Sequence, residues 1–195
     1  MGVFEQLFKK FLEFQNDKLD TAVLNLAGKH SLVKKSGEAI GYQHRKKGRT
    51  SNTLIMTDGW GIPIAVGDII SGNHNDLYEI VPQLSKFTKA VNESGIILDN
   101  CILNADKGFD SKAFKRFYRR RKMIPNVKEN NKNRKKTNRG KKPEFYQEVY
   151  KRRFVNERCF GSIESFRTLL TRFDTTISSW KNWHYLAFFL ILIKV

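Results

Sequence analysis

Apolar side chains at Val3, Phe4, Leu7, Phe8, Phe11, Leu12 and Phe14 recur every three or four residues. That is the period of a helix with one face to bury, and it predicts an amphipathic helix at the start of the chain. A short apolar run, AVLNLA at residues 22–27, has the length of a strand. Two more β-rich runs, 53–57 and 62–70, are separated by Asp58-Gly59-Trp60-Gly61, and a Gly-containing link of this length predicts a hairpin. Helical spacing returns over 74–94, through Leu77, Ile80, Val81, Leu84, Phe87, Ala90 and Val91, with Asn73 or Asn75 as its cap and Gly95 as its stop.

Beyond it, CILNA at 101–105 predicts a compact strand, 111–122 a basic helix and MIPNV at 123–127 a further short strand. Residues 128–143 hold no apolar side chain that could anchor them and are dense in Lys, Arg and Asn, which predicts a basic loop without packed structure. From 145 to 173 the helical pattern resumes and predicts one long helix. The apolar stretch 186–193 spans only about 12 Å as a helix, far short of a bilayer, so it predicts a buried C-terminal helix. Trp180, Trp183, Tyr185 and Phe188 are expected to pack that helix into the core. Strands interleaved with helices in this order make an α/β domain with a mixed sheet.

Composition narrows the function. Of 195 residues, 36 are Lys or Arg and 19 Asp or Glu, a formal charge of +17. A surface this positive suits a polyanion, and nucleic acid is the first expectation. The charge is concentrated: residues 112–153 hold 18 Lys and Arg against three acids, a net +15 in about a fifth of the chain. Arg119-Arg120-Arg121 and Lys151-Arg152-Arg153 carry it into predicted helices. Two cysteines, Cys101 and Cys159, lack the clustering of a zinc site or a disulfide framework. The first 14 residues mix charge with Phe and Leu unlike a signal peptide, so a cytoplasmic, nucleoid-associated protein without membrane contact is expected.

Two acids stand out. Asp106 follows the CILNA strand and precedes a Gly turn, a place for a turn cap or for a catalyst facing a cleft. Glu157 would share a sector of about 60° with Tyr150, Arg153 and Glu164 on a continuous helix. Ile163, Phe166, Leu169, Leu170 and Phe173 would lie roughly opposite. That polar stripe reads either as the wall of a cleft or as i,i+4 pairing of Arg153 with Glu157 on a solvated face.

Several strings in order then carry a resemblance. GEAIGYQHRKK (37–47), LIMTDGWGIP (54–63), GNHND (72–76), NADKGFD (104–110) and Tyr150-x2-Arg153-x3-Glu157-Arg158 together resemble bacterial insertion-sequence transposases of the DDE type, with their Y-R-E helix signature. The likeness runs from about Asn25 to the end. It implies an RNase H-like fold in which carboxylates on the first strand, the fourth strand and a late helix hold two Mg²⁺ ions. The implied chemistry is cleavage of element ends by water, then attack of the freed 3′-hydroxyl on target DNA. It further implies a homo-oligomer on double-stranded DNA.

On that resemblance Asp106 is the second acid and Glu157 the third, both metal ligands, with Arg153 pairing a phosphate or holding Glu157. The first-acid position falls on Ala27 in Ala27-Gly28-Lys29-His30-Ser31, where related enzymes carry Asp. A methyl cannot ligate a metal, so an impaired enzyme is expected; Asp20 and Asp58 are not obvious substitutes. Glu164 stands where related signatures often have Lys. Residues 1–21 read as a helical arm, the remnant of a DNA-binding region, and 22–195 as the catalytic domain with its basic loop at 128–143. The short start suggests a truncated transposase or the second frame of a split one.

Expected DNA contacts are Arg45, Lys46 and Lys47, beside Tyr42 and Gln43, then Arg119, Arg120, Arg121, Lys135, Lys136 and Arg153. The segment 42–47 reads nearly as well as a basic strand edge that discourages aggregation. His74 reads as a cap residue satisfied by Asp76, or as a neighbour of the metal site. The alternative function is a non-enzymatic basic nucleic-acid-binding protein, which would not need Asp106 and Glu157 to converge.

Overall fold

A computed structural model describes residues 2–130 and 144–194. The predicted basic loop, with Lys135 and Lys136, lies largely outside the described residues. The elements in chain order are α1 (Val3–Phe14), β1 (Val23–Val33), β2 (Gly41–Gln43), β3 (Gly48–Thr57), β4 (Pro63–Ser71), α2 (Ile80–Glu93), β5 (Ile102–Ala105) and α3 (Lys112–Arg119). There follow β6 (Ile124–Val127), α4 (Gln147–Lys151), α5 (Val155–Glu164), α6 (Arg167–Leu170), β7 (Thr171–Arg172) and α7 (Ile177–Leu192).

All seven strands join one mixed sheet ordered β2-β3-β1-β5-β6, with β4 also on β3 and β7 also on β1. β1 runs antiparallel to β3 and parallel to β5, and β5 runs parallel to β6. With the short edge strand β2 set aside, the first and fourth strands are neighbours, as the RNase H-like reading requires. β5 covers one edge of β1 from Val23 to Leu26, and β7 covers the same edge only at Leu32 and Val33. Among the described residues no strand pairs positions 27–31 on that edge. The notch so formed is where α5 and α6 come in.

α2 covers one face of the sheet, where Phe87 packs so closely on Gly67 that an added Cβ would sit 2.8 Å from its ring. α5, α6 and α7 cover the other. α1 lies on α7, with Phe8 stacked edge-on against Phe188 and both rings fully buried. Among the described residues no helix is long and apolar enough to cross a membrane.

The hairpin, α1 and the short strands 102–105 and 124–127 agree with the sequence pattern. Four features differ. β1 continues six residues past Ala27 because Lys29 and Ser31, polar though they are, find buried partners. α2 starts at Ile80 rather than His74, and Glu79 at φ 45 turns the chain into it in place of an Asn cap; Asn75 instead accepts from the Leu77 amide in the preceding turn. The expected single helix over 145–173 is three helices, bent at a 3-10 turn over Arg152–Phe154 and again at Ser165 and Phe166. Ile163 and Leu169 are buried as expected, but Leu170 and Phe173 are half exposed. Trp180, Tyr185 and Phe188 pack inside, whereas Trp183 stays 39% exposed.

Candidate active site

Three asparagines, each at the third position of one of three parallel strands, set the frame. Asn104 of β5 donates from Nδ2 to Asn25 Oδ1 on β1 at 3.0 Å, and Asn126 of β6 donates to Asn104 Oδ1 at 2.9 Å. All three are fully buried. The row ends at one side on the Asp58 carbonyl, which accepts from Asn25. At the other it pairs with the Tyr146 backbone, whose N–H donates to Asn126 Oδ1 and whose carbonyl accepts from Nδ2. Asn104 also donates to the Val149 carbonyl. The ladder thus fastens the start of α4 to the sheet, because buried amides left unpaired would each cost about 1–3 kcal/mol.

Two residues past the ladder lies the candidate site. Leu26 pairs with Ala105, so Ala27 and Asp106 are the next positions along β1 and β5, on the face that carries Asn25 and Asn104. Asp106 is extended, and its Oδ1 accepts from the Gly108 amide at 2.6 Å. The turn-cap role is therefore real, and among the described residues Oδ2 takes no hydrogen bond. Tyr150, on α4, feels Asp106: burial and then the Asp106 charge push its hydroxyl up, against the lowering influence of Arg153. The Arg153 guanidinium lies 5.4 Å from the centre of the Tyr150 ring.

α5 runs alongside β1. Its first turn is pinned by Thr57, the partner of Asn25, whose hydroxyl donates to Asn156 Oδ1 at 3.1 Å. Its last residue, Glu164, reaches Lys29 at 3.3 Å. Glu157 and Glu164 are seven residues apart, within about 20° on the helix. Glu157 is exposed and makes no hydrogen bond or ion pair among the described residues. Lys29 is 5% exposed, and burial lowers its pKa while Glu164 opposes the fall. Among the described residues no three His, Cys, Asp or Glu side chains come together as a metal cage.

The remaining expected residues scatter. Arg45 and Lys46 form a 3-10 turn after edge strand β2, and Lys47 takes a left-handed conformation; all three are exposed. Arg119 and Arg120 project from the end of α3, while Arg121 folds back over Phe117, 3.7 Å from the ring centre. The two clusters sit on opposite sides of β1 in the sheet order, one after β2 and the other after α3, which leads into β6. His74 is not satisfied by Asp76: its ring stacks on Tyr78 at 3.6 Å, and Asp76 accepts from Asn52. Asp58 organises the β3–β4 hairpin, accepting from the amides of Asp20, Trp60 and Ile62, and Asp20 pairs with Arg152. Sequence reasoning passed over the asparagine ladder, although each Asn interrupts an apolar strand in the same way, and also the Lys29–Glu164 pair.

The layout is an α/β domain with a mixed sheet, Asp106 just past the end of β5 and Glu157 exposed on α5. The sequence profile of the Transposase DDE domain matches residues 19–192, and the chain belongs to that family. Among solved structures it is similar to a chain described as Mos1 transposase paired-end complex with left transposon end, at 11% identity and a TM-score of 0.39, over 65% of this chain. The aligned part is 42% of that transposase's length. No curated protein matches the sequence closely enough to count.

Proposed function

We propose that this chain is a DNA transposase domain that holds DNA and cleaves it poorly. The observation that carries this reading is the position of Ala27, one register step beyond the Leu26–Ala105 pair and thus beside Asp106. On this reading Asp106 and Glu157 are two of three acids and Ala27 stands at the third.

DDE transposases generally use divalent metal ions. Two hard cations a few Å apart need several shared carboxylate oxygens. The donors here are Asp106, with one oxygen already bound by Gly108, and Glu157, and among the described residues no three acids gather as a metal cage. The residues present do not fit a two-metal centre, and no step is assigned to one. What the chain retains is the scaffold: Gly108 orients Asp106, the ladder holds α4 and its Tyr150, and Arg153 on Tyr150 offers a cation to a phosphate. Double-stranded DNA, held by the basic residues in a homo-oligomer, is the proposed partner.

The test is a nicking assay on element-end DNA with Mg²⁺, comparing the unmodified chain with Ala27→Asp and with Ala27→Asp/Glu157→Gln. Cleavage gained by the first variant and lost in the second is expected; robust cleavage by the unmodified chain contradicts the reading.

A further inference from the structure

Two large aromatic side chains near the start of α5 are left in solvent, one of them on a hairpin whose backbone is firmly held. Trp60, at the tip of the β3–β4 hairpin, and Phe154, just before α5, are each 59% exposed. The hairpin is not loose: the Trp60 N–H donates to Asp58 Oδ1 at 3.0 Å, the Gly59 N–H donates to the Asp20 carbonyl, and a Cβ at Gly61 would lie 2.9 Å from the Val155 carbonyl oxygen. Arg158 links the hairpin backbone to the Phe154 ring. Its Nη2 donates to the Trp60 carbonyl at 3.0 Å, and its guanidinium lies 5.6 Å from the centre of the Phe154 ring. Arg152 approaches the Trp60 ring at 5.7 Å but is neutralised by Asp20, whereas Arg158 pairs with no carboxylate among the described residues.

We propose that Trp60, Phe154 and Arg158 form a stacking site for an unpaired nucleobase of a DNA strand, with Arg158 facing the adjoining phosphate. Exposed rings held rigid lose little entropy on binding, and every base offers them a π-face. In a duplex those faces are already stacked, so the site selects a frayed or single-stranded segment. Arg158, which pairs with no carboxylate among the described residues, offers a cation to a polyanion on a chain of net +17. The inference rests on the DNA reading above and adds to it a strand form and the residues that take it.

Anisotropy titrations with a labelled oligothymidylate and a duplex of equal length test this. Trp60→Ala and Phe154→Ala should each weaken single-strand binding by roughly five- to hundredfold, the size of one base–aromatic stack, and change duplex binding by less than about twofold. Trp60→Phe should restore most of the loss. Equal losses on both forms, or no loss on the single strand, overturn the site and leave the aromatic pair to a protein partner. Binding of duplex alone by the unmodified chain overturns the site but not the DNA reading; binding of neither form overturns both.

Discussion

Lys29 Nζ, in the middle of β1, lies 3.3 Å from Glu164 Oε1 at the end of α5, and it also donates to Ser31 Oγ at 2.9 Å and to the Leu169 carbonyl at 3.2 Å. Three donors thus meet three acceptors, the condition under which a buried ammonium is tolerated. The same contacts tie α5 and α6 to the strand that carries Ala27, across the notch between β5 and β7. The late helix is docked by an ion pair of the chain's own.

Removing the counter-charge should therefore loosen that docking. Glu164→Gln is expected to cost about 1–2 kcal/mol in urea unfolding, below the value for a fully buried pair because Glu164 is 44% exposed on its side chain. The pH dependence has a definite sign. Burial lowers the Lys29 pKa from 10.5, so the unfolded chain binds the proton more tightly. The burial penalty is full below the folded pKa and fades as pH rises toward 10.5. Glu164→Gln lowers the folded pKa further, so the variant's Tm should rise more steeply with pH than that of the unmodified chain. Parallel pH profiles would contradict the pairing.

The asparagine ladder should be costlier to break. Asn104→Leu removes the bonds to Asn25, Asn126 and Val149 and strands their buried polar groups. A loss of about 2–4 kcal/mol is expected. Hydrogen exchange should quicken first at α4, since its carbonyl at Val149 is released. Unchanged stability would show that the amides are satisfied some other way.

DNA affinity should fall steeply with salt, because phosphate contacts release counterions. One cationic face lies on α3, where Lys112, Lys115, Arg116, Arg119 and Arg120 line an open groove of about 440 Å³, with Lys115 paired to Asp110. Replacing Lys112, Arg116 and Arg119 together by Ala should reduce the slope of log K against log salt by up to about 2.7 on duplex DNA, roughly 0.9 per contact. An unchanged slope would move the interface elsewhere.

How far the sequence spoke can be judged element by element. α1, the β3–β4 hairpin and the short strands β5 and β6 follow from apolar periodicity, which is a local signal. The polar half of β1 and the start of β3 do not, because Lys29, Ser31, Thr50 and Asn52 are buried through partners distant in sequence. The broken helix over 145–173 keeps a helical pattern throughout, and its second bend lies between Glu164 and Leu169, both held by Lys29 from β1. Asp106 was readable from a strand end followed by Gly. That Ala27 lies beside it followed from the resemblance, which sets the 22–27 and 101–105 strands side by side, and the parallel register of β1 on β5 bears it out.

The most direct test of the claim that Ala27 leaves the site one acid short is Mn²⁺ binding by electron paramagnetic resonance, since it needs neither DNA nor end recognition. The unmodified chain should bind weakly, Ala27→Asp should bind roughly tenfold more tightly or better, and adding Glu157→Gln or Asp106→Asn should cancel the gain. Equal binding by the unmodified chain and Ala27→Asp, or a gain that survives loss of both other acids, would contradict it.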